Sequence, residues 1–260
     1  MVRKILSVAV ATGLLVGLVM AAVLQFTTTP LILQAEVYEK AAQAKEGKSV
    51  FASIPRPGTQ ILRTHDHGAP PQAGTPPAKH EDSGWEPAEG FQRTAATSVA
   101  TVAVSVGYAF ILLGCMLFSR ERIDPMRGLL WGFAGFAAVG LAPALGLAPE
   151  LPGSAAGDLM LRQFWWVATA IASAVGLYLA IKLPQPSAKA AGVALLIAPH
   201  LIGPPHPAAY ESTAPAELAA SFAATSLVVH ALLWCLVGVG VGWFWTRIAN
   251  DSPRIAEVSA

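Results

Sequence analysis

Apolar residues gather into six runs, at 5–26, 95–118, 127–147, 163–182, 188–203 and 217–246, separated by more polar connections. About 20 apolar residues in a helix cross a hydrocarbon layer of ~30 Å. Five runs reach that length. The fifth is shorter and contains Pro199 and His200, so it reads as a broken or re-entrant helix. The last is long enough to tilt or to extend out of the bilayer. The pattern predicts an all-α, polytopic membrane helix bundle of six spans, five full-length and one short. A largely irregular outer loop follows the first span.

The positions of the cations settle the number of crossings. With Arg3 and Lys4 in the cytoplasm, six crossings also place Arg120, Arg122, Arg127, Lys182, Lys189, Arg247 and Arg254 there. The short outer connections, 148–161 and 204–216, contain Glu150, Asp158 and Glu211 and no Lys or Arg. This is the positive-inside asymmetry, counted in short loops where it applies. Five crossings would put the C-terminal arginines outside, so both termini are expected in the cytoplasm. The organisation is then a first span (1–26), an extracytoplasmic segment (27–94), a bundle of five spans (95–247) and a cytoplasmic tail (248–260).

Composition agrees: 54% of residues are hydrophobic and 13% charged, against about a quarter charged in soluble proteins. The start, with Arg3, Lys4, an apolar core and Met20-Ala-Ala, has the outline of a cleaved signal peptide. The apolar run continues through Val23, Leu24 and Phe26 into a helix-forming stretch, which favours a retained span.

In the extracytoplasmic segment, 31–47 reads as a helix with Leu33, Val37 and Ala41 on one stripe, ended by Gly47. From 49 to 90 Pro and Gly dominate and aliphatic residues are few, so the stretch is expected to be mobile. It contains His65-Asp-His67 and His80-Glu-Asp, half of the chain's six histidines. Residues two apart in an extended chain point the same way, so His65 and His67 can present two imidazoles to one ion, with His80 as a further donor. Imidazole with carboxylate suits cobalt, nickel or zinc. The alternative is a solvated linker with incidental histidines.

His230 falls near the middle of the last span, and His200 follows Pro199 at the outer end of the fifth, with His206 just beyond. Intramembrane polar groups are costly and tend to mark pathways, although a neutral histidine bonded to a neighbouring helix is the plainer outcome. Gly13/Gly17, Gly128/Gly132 and Gly238/Gly242 are small residues four apart that permit close helix contact. They would also permit self-association. Trp165 and Trp166 at one end, and Trp131, Trp243 and Trp245 at the other, fit interfacial belts or interhelical packing. Cys115 and Cys235 both lie within spans and read as packing residues.

Catalytic and nucleotide motifs are missing. Gly47-Lys-Ser resembles the end of a phosphate loop, but Ala42 stands where its first glycine belongs and no strand precedes it. There is no His-Glu-x-x-His stretch and no nucleophile elbow. The chain is expected not to be an enzyme, not to hydrolyse ATP, to hold no permanent cofactor and to bind neither nucleotide nor nucleic acid.

Several stretches resemble a known family, the predicted cobalt transporter subunit CbtA. They are Pro-Leu-Ile-Leu-Gln-Ala-Glu-Val-Tyr-Glu at 30–39, Gly-Trp-Glu-Pro-Ala-Glu-Gly at 84–90, Ala-Pro-His-Leu-Ile-Gly-Pro-Pro at 198–205 and Ala-Pro-Ala-Glu-Leu at 214–218. The most specific block is 127–166, with Gly-Leu-Leu-Trp-Gly-Phe-Ala-Gly-Phe, Ala-Pro-Ala-Leu-Gly-Leu-Ala-Pro-Glu-Leu-Pro-Gly and Asp-Leu-Met-Leu-Arg-Gln-Phe-Trp-Trp. The resemblance implies cobalt uptake tied to cobalamin synthesis in a bacterial inner membrane, with a small single-span, His-bearing partner subunit. It also implies metal contacts at Glu36, Glu39, the His65/His67 loop, Glu150, Asp158, His200 and His206. The family's loops are often richer in histidine than this one. Nickel fits the same donors as cobalt. A non-conducting membrane scaffold is the rival reading from another class.

Overall fold

A computed structural model describes residues 1–52, 87–88, 90–120, 122–207, 209 and 211–250. It is helical throughout, with one isolated antiparallel bridge, Ser154 to Ser212, between two connections. We number the helices α1 (Val2–Phe26), α2 (Thr28–Ala52), α3 (Phe91–Phe118), α4 (Pro125–Ala144), α5 (Leu159–Lys182), α6 (Pro186–Ile202) and α7 (Ala216–Asn250). Five of them, α1, α3, α4, α5 and α7, are long and apolar enough to cross a membrane, and α6 is a shorter apolar helix of 17 residues. This is the expected bundle of five long spans and one short. At 1.5 Å per residue α6 is about 25 Å long.

Helix starts lie a few residues earlier than hydropathy alone suggests, and at α4 and α5 a side-chain cap sets them. Asp124 caps α4 by accepting from the Arg127 N–H at 2.9 Å, with Pro125 in the first turn. Asp158 does the same for α5 through the Leu161 N–H at 2.9 Å. α6 stops at Gly203, whose φ of 82° lies in the left-handed region. α2 corrects the sequence expectation: it runs through Gly47 to Ala52. One interior glycine costs a helix only about 1 kcal/mol, and the Lys-Ser-Val-Phe that follows contains nothing to stop it. The Gly47-Lys-Ser triplet is therefore helical backbone, not a phosphate-cradling loop.

Consecutive spans alternate in direction. Side chains at their ends show which termini meet. Lys4 of α1 lies over the Trp245 ring of α7 at 4.0 Å and Lys182 of α5 over Trp131 of α4 at 5.5 Å; within α7, Arg247 lies over Trp243 at 5.0 Å. Lys4, Lys182 and Arg247 thus gather at one end of the bundle, in a belt of cation–π contacts. At the opposite end, α2 folds back from Thr27 onto the start of α7. Ala35, Leu151, Ala214 and Leu218 form a small apolar core there, and Arg93 of α3 pairs with Glu36 of α2.

Glycines set the helix pairings. A Cβ at Gly13 would fall 2.3 Å from the Val106 Cα, and one at Gly17 would fall 2.6 Å from that of Val102, so α1 and α3 meet backbone to backbone. A Cβ at Gly128 would fall 2.0 Å from the Gly238 carbonyl oxygen, and one at Gly132 would fall 2.4 Å from that of Trp234, which joins α4 to α7. Such contacts replace the hydrophobic effect, which lipid does not provide between helices. Val8, Leu113, Met116, Val237 and Val241 fill the centre between α1, α3 and α7. A third seam, Gly176 against Gly192, joins α5 to α6. Between α5 and the core lies a stretch of α4 that departs from α-geometry: Phe136–Leu141 is wound as a π-helix.

Candidate metal path

The π-helical stretch of α4 and the middle of α7 frame an aromatic cluster. Tyr108 stacks on Trp234 with ring centroids 4.5 Å apart, and His230 lies 6.1 Å from both Tyr108 and Phe136. The Trp234 Nε1–H donates to His230 Nε2 at 3.0 Å. A neutral imidazole that accepts at Nε2 carries its proton on Nδ1. Nδ1 faces Gly140, where a Cβ would approach it to 3.0 Å. In this arrangement neither ring nitrogen offers a lone pair to a metal. His230 becomes a ligand only by releasing Trp234.

One face of His230 borders a half-open cleft of about 570 Å³ between α4, α5 and α7. Its polar lining comprises Glu150, Arg162, Gln163, Ser226 and His230, with Trp166 and apolar residues of α4 completing the wall. The cleft extends from the connection after α4 down to His230, 14 residues beyond the first residue of α7, Ala216. That is about 21 Å along the helix. At its mouth Arg162 Nη2 donates to Glu150 Oε2 at 2.5 Å. Bulges of π type recur at functional sites because they re-aim side chains and loosen the backbone ladder. Here the bulge lies where a cleft replaces a packed seam.

The other expected metal contacts are dispersed. Both carboxylate oxygens of Glu36 accept from Arg93, Oε2 at 2.9 Å from Nη1 and Oε1 from Nη2. The Arg93 hydrogen bond and charge, with Lys40 nearby, hold the Glu36 carboxyl below its ordinary value against a smaller opposing effect of burial. Glu39 lies one turn further along α2 and accepts from Gln43 at 3.5 Å. Asp158 is occupied as the α5 cap. His200 packs edge-on to Trp165 with centroids 6.2 Å apart and does not border the cleft. His206 is exposed in the connection after α6. His65, His67 and His80 lie outside the described residues. Among the described residues no group of three or more His, Cys, Asp or Glu side chains converges on a metal position. Of the expected contacts, the structure places Glu150 and His230 on one cleft.

Arg162 and Ser226 are the site residues that sequence reasoning missed. Arg162 had a visible signal: a cation beside connections that otherwise hold only Glu150, Asp158 and Glu211 as charged residues is out of place unless paired. It stands between the outer connection, 148–161, and the apolar run that begins at 163. Ser226 had none, since its relevance depends on the lateral position of α7.

Comparison with known proteins matches residues 2–246 to one family model, CbtA, described as a probable cobalt transporter subunit. No curated protein and no solved structure matches.

Proposed function

The chain belongs to the CbtA family of probable cobalt transporter subunits, and from that premise we propose that it carries cobalt, or nickel by the same chemistry, inward across a bacterial inner membrane in support of cobalamin synthesis. Both termini lie in the cytoplasm, the α2 end faces outward, and a small single-span, His-bearing subunit is the partner. The cleft between α4, α5 and α7 supports this reading most directly. It has a carboxylate at its mouth, reaches the middle of the bundle and ends at a histidine beside a distorted helix. The ion enters past Glu150, with the His65/His67/His80 loop as a capture segment upstream, and passes toward His230 and Ser226.

No nucleotide is required. One charge moved through 100 mV gains about 2.3 kcal/mol, so a divalent ion gains about 4.6 kcal/mol. At ~1.4 kcal/mol per decade this supports about a thousandfold accumulation.

The test is cobalt and nickel content, by elemental analysis, of cells that lack other importers, with and without this chain and its small partner. Accumulation that collapses with the membrane potential supports the reading. Absence of accumulation, with the protein confirmed in the membrane, sinks it and leaves a non-conducting scaffold.

A further inference from the structure

The polar lining of the cleft combines one carboxylate with one guanidinium, an unusual pairing for a route that admits cations. Arg162 is part of α5, and its backbone N–H bonds to the Asp158 carbonyl at 3.0 Å in the capped first turn. Glu150 lies in the non-helical connection after α4, where no regular hydrogen-bond ladder holds its backbone. Arg162 is thus anchored on a regular helix, whereas Glu150 is held through its neighbour Leu151, which is buried in the small core under α2. The pair is half-buried, with the side chains 22% and 38% exposed, so solvent and a hydrated ion both have access to the carboxylate.

We propose that Arg162 is a tethered cation that occupies Glu150 in the resting protein, and that an entering divalent ion must displace it there. The proposal rests on the transport reading for its purpose but not for its test. Arg162 then sets an affinity threshold: a weakly bound monovalent ion does not displace a hydrogen-bonded guanidinium, whereas a divalent ion has twice the charge with which to compete. In this role Arg162 is a gating residue and Glu150 the group that touches the ion.

The experiment is a double-mutant cycle on the purified full-length protein. Cobalt binding is read by quenching of tryptophan fluorescence, with Trp166→Phe identifying the signal from the cleft wall. Freeing Glu150 in Arg162→Gln should tighten cobalt binding by about fivefold, the ceiling for a partly solvated pair. Glu150→Gln should weaken it, and in that background Arg162→Gln should no longer tighten it. Arg162→Lys, which keeps the charge, should bind no more tightly than the natural protein. Unchanged or weaker binding by Arg162→Gln, in protein with an unaltered melting midpoint, overturns the proposal, as does tightening that persists without Glu150. The same variants in liposomes separate the two ideas. If the binding cycle holds but no variant accumulates cobalt, the transport reading fails and the exchange stands. If the natural protein transports but the cycle is additive, the exchange fails and transport stands.

Discussion

The α4–α7 seam and the α4–α5 cleft share one helix and differ in almost everything else. On one side of α4, Gly128 and Gly132 bring its backbone onto Gly238 and Trp234. On the other, past Gly135, the helix rewinds to π geometry and borders a cleft of about 570 Å³ with a charged mouth. Tight helix contact in a bilayer relies on small residues and regular backbone, and it excludes water and ions. A polar route would need the opposite, and the cleft falls where the regular helix is interrupted. On the proposed reading, stability and permeation are allotted to different stretches of one span.

The sharpest way to break this contrast is to obstruct the packed side. At Gly128 a Cβ meets a backbone carbonyl that cannot rotate away. Gly128→Leu is expected to cost about 3 kcal/mol and to abolish accumulation in the membrane. Gly107→Ala has nothing within 4 Å of its new Cβ and should be neutral or slightly stabilising. Equal tolerance of both, measured as membrane abundance and melting midpoint in detergent, would remove the packing account.

On the cleft side, His230→Ala strands the Trp234 N–H within α7 and should cost about 1 kcal/mol, the net worth of one hydrogen bond, while changing cobalt uptake far more than folding. A loss of folding comparable to Gly128→Leu would mean that His230 is a structural post and not part of a route.

A smaller effect should appear at the α2 end. The folded-state pKa of Glu36 is depressed below its ordinary 4.5, so its pairing with Arg93 contributes stability above that value and loses it as pH falls through the folded pKa. The half-buried pair is worth about 1 kcal/mol after solvent screening. The melting midpoint should therefore fall between pH 5 and more acidic conditions by a margin that Glu36→Gln removes. Smallest of all is Lys4→Met at the basic end, which gives up a cation–π contact of about 0.5 kcal/mol. A larger drop would show that the belt holds α1 to α7 and does not merely mark an interface.

The spans, their alternation and the basic end were legible in the chain because lipid imposes a length and a charge asymmetry that need no tertiary information. The glycine pairs were visible too, although not their partners: nothing in the spacing of Gly128 and Gly132 says that α7, and not α3, receives them. The start of α4 was not legible from hydropathy, which begins the run at 127, and neither was the run of α2 through Gly47, because one glycine is too weak a stop.

The site divides along the same line. That His230 and Glu150 are chemically capable was readable from their types and positions. That they share a cleft, while Glu36 is held by both terminal nitrogens of an arginine 57 residues away and His200 packs on Trp165, was decided by the tertiary structure alone. Hydropathy is a property of each segment against its solvent. A lone pair is free or occupied only in relation to whatever neighbour the fold delivers.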